Sequence, residues 1–356
     1  MDEKIEARKT EHIKIAEEEK VTSERNYWDD IRLIHQAIPD FDYDLISTEA
    51  GFLGKKFSYP MVISSMTGGT SRAKTINRNL AKAAEKFNIP MGVGSMRACI
   101  QDHGLSETYS VINEFKVPVR LANIGAPQLV KQGKGAFTDA DIEYAFKLID
   151  ASFLIVHFNF LQEMVQPEGD HNAKGILKRL SEVAGSYPVI AKETGNGFSR
   201  EACLLLKDAG VRAIDVGGLG GTSFAAIEYY RAKNAGDSEK MTSGETFWNW
   251  GVPSPASIEY CHDILPTIGS GGLRNGQDLA KALSIGAGMG GFARSLLKGA
   301  DDSYEQIEAV IYQIIRDLKI TMFLTGSSKI EHLRKAKRII FDPLKTWMGA
   351  YDAGRL

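Results

Sequence analysis

One short stretch of the chain carries several polar side chains that suit a charged ligand. His157 and Asn159 alternate along an apolar run, so both project to the same side if the run is a strand. Gln162 and Glu163 follow directly, and the acids and amides of residues 166–170 come next. Magnesium usually keeps only one or two protein carboxylates and takes its other ligands from water or phosphate. A carboxylate beside neutral amides therefore suits magnesium shared with a diphosphate, and not zinc, which favours clustered Cys and His. A lone strand histidine is more often structural, but the adjoining amides and acids favour a functional one.

Two glycine-rich segments late in the chain suit a phosphate group. Gly271–Arg274 precedes a helix-like stretch, and Ala293-Arg294 follows two glycines. Glycines let backbone N–H groups approach an oxyanion closely, and a helix N-terminus adds a favourable field. The alternative, that these glycines serve turns alone, is reasonable for one segment and weaker for two at corresponding places.

A lysine and several neutral polar residues suit the ring of a flavin. Lys192 ends an apolar run, where its ammonium can stabilise negative charge on a reduced flavin. The alternative is a pair with Glu193 that serves solubility. Ser65, Thr67, Ser95 and Asn123 lie at the ends of other apolar runs and offer neutral hydrogen bonds.

Eight apolar runs indicate the elements that must position these residues. Most lack polar alternation, as expected of strands buried on both faces. They are 60–66, 91–95, 119–124, 153–159, 189–193, 213–216, 267–270 and 287–292. Helix-like stretches separate them, which predicts a single (β/α)8 TIM barrel over residues 60–356 with closing helices at its end. Residues 1–59 form an N-terminal extension, and Tyr229–Pro255 reads as a long loop over the mouth, between strands six and seven.

The composition excludes several classes of protein. Apolar residues make up 43% of the 356 positions, charged residues 25%, and the net charge is −2, so nothing global attracts nucleic acid or an anionic membrane. The charged start is no signal peptide, and no run approaches a membrane span, so we expect a cytoplasmic protein. Three scattered cysteines argue against a disulfide framework and a zinc site, and Cys99 and Cys203 read as core residues.

Several motifs together resemble the type 2 isopentenyl diphosphate isomerases. In chain order they are Arg8-Lys9 with His12-Ile13, residues 66–69, 94–98, 157–170, 215–223 and 270–276, and Ala293-Arg294. The match extends from about residue 8 to about residue 335. The stretch 157–170 is its most specific part, since many flavin barrels share the glycine loops.

The resemblance implies a redox-neutral conversion of isopentenyl diphosphate into dimethylallyl diphosphate. It implies reduced FMN as the acid and base, magnesium, NADPH as the reductant, and a homo-oligomer (tetramer or octamer). Gln162, His157 and Asn159 are then the catalytic residues, and Glu163 binds the metal. The implied substrate ligands are Arg8, Lys9, Ser95, Arg97, His157, Asn159 and Gln162. The implied flavin contacts are Ser65, Met66, Thr67, Ser95, Asn123, Lys192, Thr222, Gly272, Arg274, Ala293 and Arg294.

Three positions depart from the family pattern, and two other functions stay open. Members often carry Gln where this chain has Met96, and Phe158 and Phe160 are bulkier than usual, so they either narrow the hydrocarbon pocket or pack behind it. One alternative is an FMN-dependent 2-hydroxy-acid oxidase or dehydrogenase, which needs a histidine base near strand seven, whereas His262 precedes that strand. The other is a flavin-binding barrel without catalysis.

Overall fold

Eight parallel strands form a closed barrel in the computed structural model, which describes residues 2–133 and 135–353. The barrel strands are β4 (Met61–Ile63), β5 (Met91–Gly92), β6 (Arg120–Gly125), β7 (Phe153–Phe158), β8 (Val189–Glu193), β9 (Ala213–Asp215), β10 (Thr267–Ser270) and β11 (Met289–Phe292). Strand β11 pairs with β4 and so closes the ring. The predicted (β/α)8 barrel is confirmed, and each of the eight apolar runs coincides with one strand to within a few residues.

Helices surround the barrel, and several of them begin at a residue whose side chain caps the first turn. They are α1 (Asp2–Glu18), α2 (Ser71–Phe87), α3 (Arg97–Gln101), α4 (Glu107–Ser110), α5 (Asp139–Leu148), α6 (Phe160–Val165), α7 (Ile176–Ser186), α8 (Arg200–Asp208), α9 (Phe224–Ala235), α10 (Ser238–Thr246), α11 (Ser254–Cys261), α12 (Gly276–Ser284), α13 (Arg294–Asp302), α14 (Tyr304–Leu324), α15 (Ile330–Leu333) and α16 (Leu344–Ala353). Thr70, Ser199 and Asn275 cap α2, α8 and α12 by accepting a backbone N–H with the side chain.

The strands place an apolar layer under a polar one inside the barrel. The apolar layer contains Val62, Leu121, Ile155, Ile190, Ala213, Ile268 and Met289, which pack together. Side chains alternate along a strand, so the residue two positions on lies above each of these. Those residues are Ser64, Asn123, His157, Lys192, Asp215, Ser270 and Gly291, and the polar ones among them are all buried. This polar layer is the floor of the barrel mouth.

The N-terminal extension packs against both ends of the barrel. Strands β2 (Ala50–Phe52) and β3 (Lys55–Phe57) form a hairpin whose Phe57 packs on the apolar layer. Strand β1 (Ile31–Leu33) pairs in antiparallel fashion with β12 (Arg338–Ile340), near the other end of the chain. Helix α1 contacts α9 and α13 at the mouth.

The segment Tyr229–Pro255 is mainly helical, so the prediction of a long loop was wrong. It contains more than half of α9, all of α10 and the first two residues of α11. Tyr229, Tyr230 and Trp248 pack their rings edge to face, and the Trp248 indole donates to Thr22 O at 3.0 Å. The aromatic residues that suggested a loop therefore hold two short helices together and bind them to the extension.

A disulfide joins Cys203 on α8 to Cys261 on α11, 58 residues later. The expectation that the three cysteines form no disulfide was therefore wrong. Both sulfur-bearing side chains are fully buried where α8 packs on α11, with Cα atoms 5.8 Å apart. Cys99 is the free cysteine and is buried, as predicted.

The longest described helix, α14, has 21 residues and carries charged side chains along its length. Seven of its residues are buried, and they fix α14 against the rest of the protein. No helix in the described ranges combines the length and apolar character needed to cross a lipid bilayer.

Candidate active site

Asn123 fixes the tautomer of His157 in the polar layer. The Asn123 amide donates from Nδ2 to Val93 O at 3.2 Å, so its Oδ1, 2.8 Å from His157 Nδ1, must accept. His157 therefore carries its proton on Nδ1 and presents Nε2 as an acceptor. Burial, reinforced by the charge of Lys192, lowers the pKa of His157 from 6.5 to about 4. The imidazole is neutral at physiological pH.

Lys192 forms a buried ion pair next to His157. Its Nζ lies 3.1 Å from Asp215 Oδ2 and donates to Glu193 O at 3.2 Å. The side chain of Glu193 points away, and its Oε2 accepts the backbone N–H groups of residues 194–197. The suggested pairing of Lys192 with the Glu193 carboxylate is therefore wrong, and the partner is Asp215.

Asn159, Gln162 and Glu163 form one hydrogen-bonded cluster where β7 leads into α6. Asn159 donates from Nδ2 to Gln162 Oε1 and to Glu163 Oε1, both at 3.1 Å. Glu163 Oε2 accepts from the Gln166 amide and, at 2.7 Å, from the Asp170 backbone N–H. Glu163 is only 4% exposed, and these donors keep its carboxylate directed at Asn159.

Helix α1 carries Lys9 and Arg8 to the barrel mouth. Lys9 Nζ donates to Gly68 O at 2.6 Å, to Ser95 O at 3.1 Å and to the Tyr109 hydroxyl at 2.7 Å. Burial lowers the pKa of Lys9 from 10.5 to about 7. Arg8 lies 3.5 Å from Glu168. Lys9 is therefore not part of a solvated face, because its ammonium binds the segments that follow β4 and β5.

Arg97 begins α3 and contacts the acidic end of the 157–170 stretch. Its Nη1 donates to Asp170 Oδ2 at 2.7 Å, and the Gln128 amide donates to the same oxygen at 2.8 Å. Arg97 Nε is buried and has no hydrogen-bond partner in the described part of the chain. The Nε–H group of Arg97 is therefore an unused donor that an anion at the mouth could accept from.

Glu228 on α9 is a site residue that the sequence reasoning missed. Its Oε1 lies 3.0 Å from His12 Nε2 and 3.5 Å from Gln162 Nε2, and its Oε2 accepts from Arg231 at 2.6 Å. Burial alone would raise the pKa of Glu228, but its contacts with His12 and Arg231 outweigh burial and lower the pKa below its ordinary value of 4.5. Glu228 thus connects α1, α6 and α9 above the mouth.

The glycine loop after β10 accepts hydrogen bonds from the N-terminal extension. Gly271 O accepts from the Trp28 indole and from Ser254 Oγ, both at 2.8 Å, and Gly272 O accepts from the Asn26 amide at 2.8 Å. Gly271 and Gly272 have φ values of +95° and +83°, which favour glycine. A Cβ on Gly272 would lie 2.3 Å from Gly220 O, so only glycines let these two loops meet.

The two predicted phosphate-binding arginines differ in their surroundings. Arg274 forms ion pairs with Asp278 at 2.7 Å and with Asp29 at 2.6 Å, so two carboxylates already occupy its guanidinium. Arg294 donates to Ala16 O at 2.8 Å and to Glu19 O at 3.4 Å, and burial lowers its pKa. The structure thus brings Arg294 to the mouth without a carboxylate partner among the described residues.

The other predicted flavin and substrate contacts also lie at the mouth. They are Ser65, Met66 and Thr67 after β4, Ser95 after β5, Thr222 after β9 and Ala293 after β11. Ser65 Oγ is buried and without a hydrogen-bond partner among the described residues. Thr222 forms an isolated bridge with Thr22 of the extension.

Comparison with known proteins decides the family. The family described as FMN-dependent dehydrogenase matches residues 1–105 and 254–339. The isopentenyl-diphosphate delta-isomerase of Picrophilus torridus is 62% identical over 98% of this chain and 99% of its own. Those of Thermoplasma acidophilum (96% and 99% covered) and Methanocaldococcus jannaschii (97% of each) are 59% and 41% identical. The chain belongs to the isopentenyl-diphosphate delta-isomerase family.

Solved flavoprotein structures share the barrel of this delta-isomerase family member. A lactate oxidase from Pediococcus acidilactici aligns with a TM-score of 0.63 at 15% identity over 94% of both chains. A flavocytochrome b2 aligns with a TM-score of 0.58 at 16% identity over 87% of this chain and 76% of that one. At such identities the likeness shows the fold alone.

The mouth of the delta-isomerase family member fits FMN and one magnesium ion. The unpartnered hydroxyls of Ser64 and Ser65, buried in the described structure, call for a polar ligand above the floor. Glu163 is a single carboxylate, and Asn159 Oδ1 beside it is buried and lacks a described partner. No three His, Cys, Asp or Glu residues cluster as a metal site in the described chain. One carboxylate suits magnesium that takes its other ligands from diphosphate and water.

The three residues that depart from the family pattern pack behind the mouth. Met96 is fully buried in the main core, although its backbone N–H donates to Asn123 O at 2.8 Å. Phe158 alternates with His157, points away from the barrel axis and packs edge to face on Phe198. Phe160 is half-buried against the same core.

Proposed function

We propose that this protein converts isopentenyl diphosphate into dimethylallyl diphosphate without net oxidation, as a step of isoprenoid biosynthesis. The observation that carries the proposal is the near full-length match to delta-isomerases, which includes the α1 segment that places Lys9 against Gly68 and Ser95. The chain as one functional unit, with residues 1–59 supplying substrate ligands to the barrel of residues 60–356, is part of the same proposal.

The cations at the mouth bind the diphosphate end of the substrate. The unpartnered Nε–H group of Arg97 would donate to the diphosphate, and Arg8 lies beyond it. Lys9 in its protonated form would add positive charge nearby, and it would bind the diphosphate directly by exchanging one of its three protein acceptors. Neutral His157 accepts at Nε2, so it binds a protonated phosphate oxygen or takes up a proton when the diphosphate arrives. Glu163 would hold a magnesium ion, which screens charge on the diphosphate.

The hydrocarbon end of the substrate requires a dry pocket. A carbocation-like transition state is captured by water unless the site excludes it. Helix α1 and helix α9 cover the mouth through the contact of His12 with Glu228. The amide of Gln162 is fixed by Asn159 on one side and Glu228 on the other, so it can orient the reacting carbons.

The flavin would lie above the polar layer. When bound, reduced FMN would supply the acid and base that move the proton between the two ends of the allylic unit. Ser65, Met66, Thr67, Ser95, Asn123 and Thr222 would contact its ring and ribityl chain, and Gly272, Ala293 and Arg294 its phosphate. Lys192 would lie at the pyrimidine edge.

A single assay tests this function. Protein reduced anaerobically with dithionite in the presence of FMN and magnesium should convert isopentenyl diphosphate into an acid-labile allylic product, and protein with oxidised FMN should not. Bound flavin without conversion would favour the non-catalytic flavin barrel. Stoichiometric flavin reduction by a 2-hydroxy acid would favour the oxidase, although His262 packs on Gly286 before β11, away from the mouth.

Three companion proposals accompany this function. NADPH reduces the flavin, the protein forms a homo-oligomer of four or eight chains, and it acts in the cytoplasm. Anaerobic bleaching of the flavin by NADPH tests the first, light scattering tests the second, and cell fractionation tests the third.

A further inference from the structure

Three adjacent barrel strands contribute a connected row of buried polar groups. Lys192 on β8, Asp215 on β9 and Ser270 on β10 are 8%, 2% and 3% exposed. Lys192 and Asp215 are directly paired in the strand register. The Ser270 hydroxyl donates to Asp215 Oδ1, and Lys192 Nζ lies 3.1 Å from Asp215 Oδ2. Each carboxylate oxygen therefore has one specific partner.

The ammonium of Lys192 retains one donor for a ligand. An ammonium has three N–H groups. Within the described residues two of them meet protein acceptors, Asp215 Oδ2 and Glu193 O. The polar layer faces the mouth, so the third N–H group is available to a group bound above the floor.

Asp215 is the counter-charge that makes a buried ammonium tolerable. A buried ammonium that loses its carboxylate partner is strongly destabilised and tends to release its proton. No other carboxylate of the described structure forms an ion pair with Lys192.

Resting on the proposed function, we propose that Asp215 is a positioning residue that keeps Lys192 charged and directed at the pyrimidine edge of the flavin. A positive charge at that edge stabilises the reduced, anionic ring. Asp215 thereby acts on the flavin through Lys192, without touching it. The same carboxylate reaches the loop after β9, because Ser270 Oγ accepts the Gly217 N–H at 3.0 Å.

The midpoint potential of bound FMN tests this assignment. Asp215 could keep Lys192 charged, or it could act only as a negative charge near the flavin, and substitution of Asp215 shifts the potential in opposite directions in the two cases. If Lys192 loses its proton in Asp215→Asn, the equilibrium constant for reduction falls, and we expect at least about a tenfold loss, or about 30 mV for a two-electron couple. If Lys192 stays charged, removal of a negative charge raises the potential instead. Equilibrium reduction of the holoprotein against a reference dye gives the sign.

Matched variants separate the lysine from the loop. Lys192→Met leaves the Asp215 carboxylate unpaired, so it should lower the potential at least as much as Asp215→Asn. The double variant should have the same potential as Asp215→Asn, because neither charge remains in either protein. Ser270→Ala removes the link to Gly217 but retains the ion pair, and Asp215→Glu retains the carboxylate, so both should keep the wild-type potential.

A raised or unchanged potential in Asp215→Asn would overturn the assignment. If Asp215→Asn does not fold, Asp215→Glu retains the carboxylate and provides the test: its potential must equal that of the wild type, and a difference overturns the proposal. Failure of wild-type protein to bind FMN or to isomerise the substrate would instead contradict the proposed function.

Discussion

Asn123 Oδ1 accepts the Nδ1 proton of His157 at 2.8 Å, and this pair sits in the polar layer that floors the barrel mouth. It commits the imidazole to one neutral tautomer before any ligand arrives. His157 is also buried beside the charge of Lys192, so protonating it in acid should lower the free energy of unfolding.

His157 should make the protein sensitive to mild acid. Its pKa is about 4 in the folded chain against 6.5 ordinarily, so the unfolded chain binds more protons between these values. The free energy of unfolding should therefore fall as pH drops from about 6.5 to about 4, by about 1.4 kcal/mol for each unit of pKa difference. Urea unfolding of wild-type protein and His157→Gln across this range measures the effect. The variant should have the shallower slope, and parallel slopes would contradict the assignment.

Glu163 should control the dependence on magnesium and not the binding of flavin. Glu163→Gln removes the charge that would hold the metal, so the magnesium concentration for half-maximal isomerisation should rise about tenfold or more. Flavin absorbance after gel filtration should be unchanged. Glu168→Gln, on a half-exposed carboxylate of the same stretch, is the control and should keep the wild-type dependence. Loss of flavin in Glu163→Gln would contradict this role.

Substitution of Arg274 should mainly lower the stability of the fold, and substitution of Arg294 should mainly weaken the binding of FMN. Arg274→Met leaves the buried carboxylate of Asp278 without its arginine, which should lower the free energy of unfolding by at least about 1 kcal/mol. Arg294→Met removes a cation without a described carboxylate partner, and it should raise the dissociation constant for FMN about tenfold with a smaller loss of stability. Fluorescence titration of the apoprotein with FMN and chemical unfolding decide between them. If Arg274→Met weakened FMN binding and Arg294→Met mainly lowered stability, Arg274 would be the phosphate ligand instead.

The bond between Cys203 and Cys261 should contribute about 2–4 kcal/mol, since it closes a long loop. Denatured, unreduced protein should react with Ellman's reagent at one thiol per chain, which is Cys99. Reductant should lower the melting temperature of the wild type but not of a Cys203→Ala/Cys261→Ala variant. Three reactive thiols without reductant would show that the bond does not form.

The barrel could be predicted because its strands are encoded locally. Each is a short apolar run, and polar or glycine residues mark the end that faces the mouth. The clustering of Asn159, Gln162 and Glu163 follows from their spacing on β7 and α6. The motifs also resembled the isopentenyl diphosphate isomerases, and the relatives confirm that family.

Other features depend on contacts that no local pattern encodes. The disulfide requires α8 to pack on α11, and cysteines 58 residues apart do not reveal this. Glu228 belongs to the site because α9 packs against α6, and no local pattern encodes this contact. Asp215 could have been predicted as a residue of the polar layer, since it lies two positions beyond Ala213 in the apolar layer of the barrel. Asp278, four residues after Arg274, was a usable signal that this arginine is already paired.

The pairing of β1 with β12 makes the two ends of the chain interdependent. Ile31 aligns with Ile340, roughly 300 residues later, and closing so large a loop is slow. During synthesis, the segment that carries Trp28 and Asn26 to the glycine loop has no sheet partner until the ribosome has released residues 338–340. The strand that directly follows the glycine-loop contacts of Asn26 and Trp28 is therefore paired late, after all eight barrel strands have been synthesised.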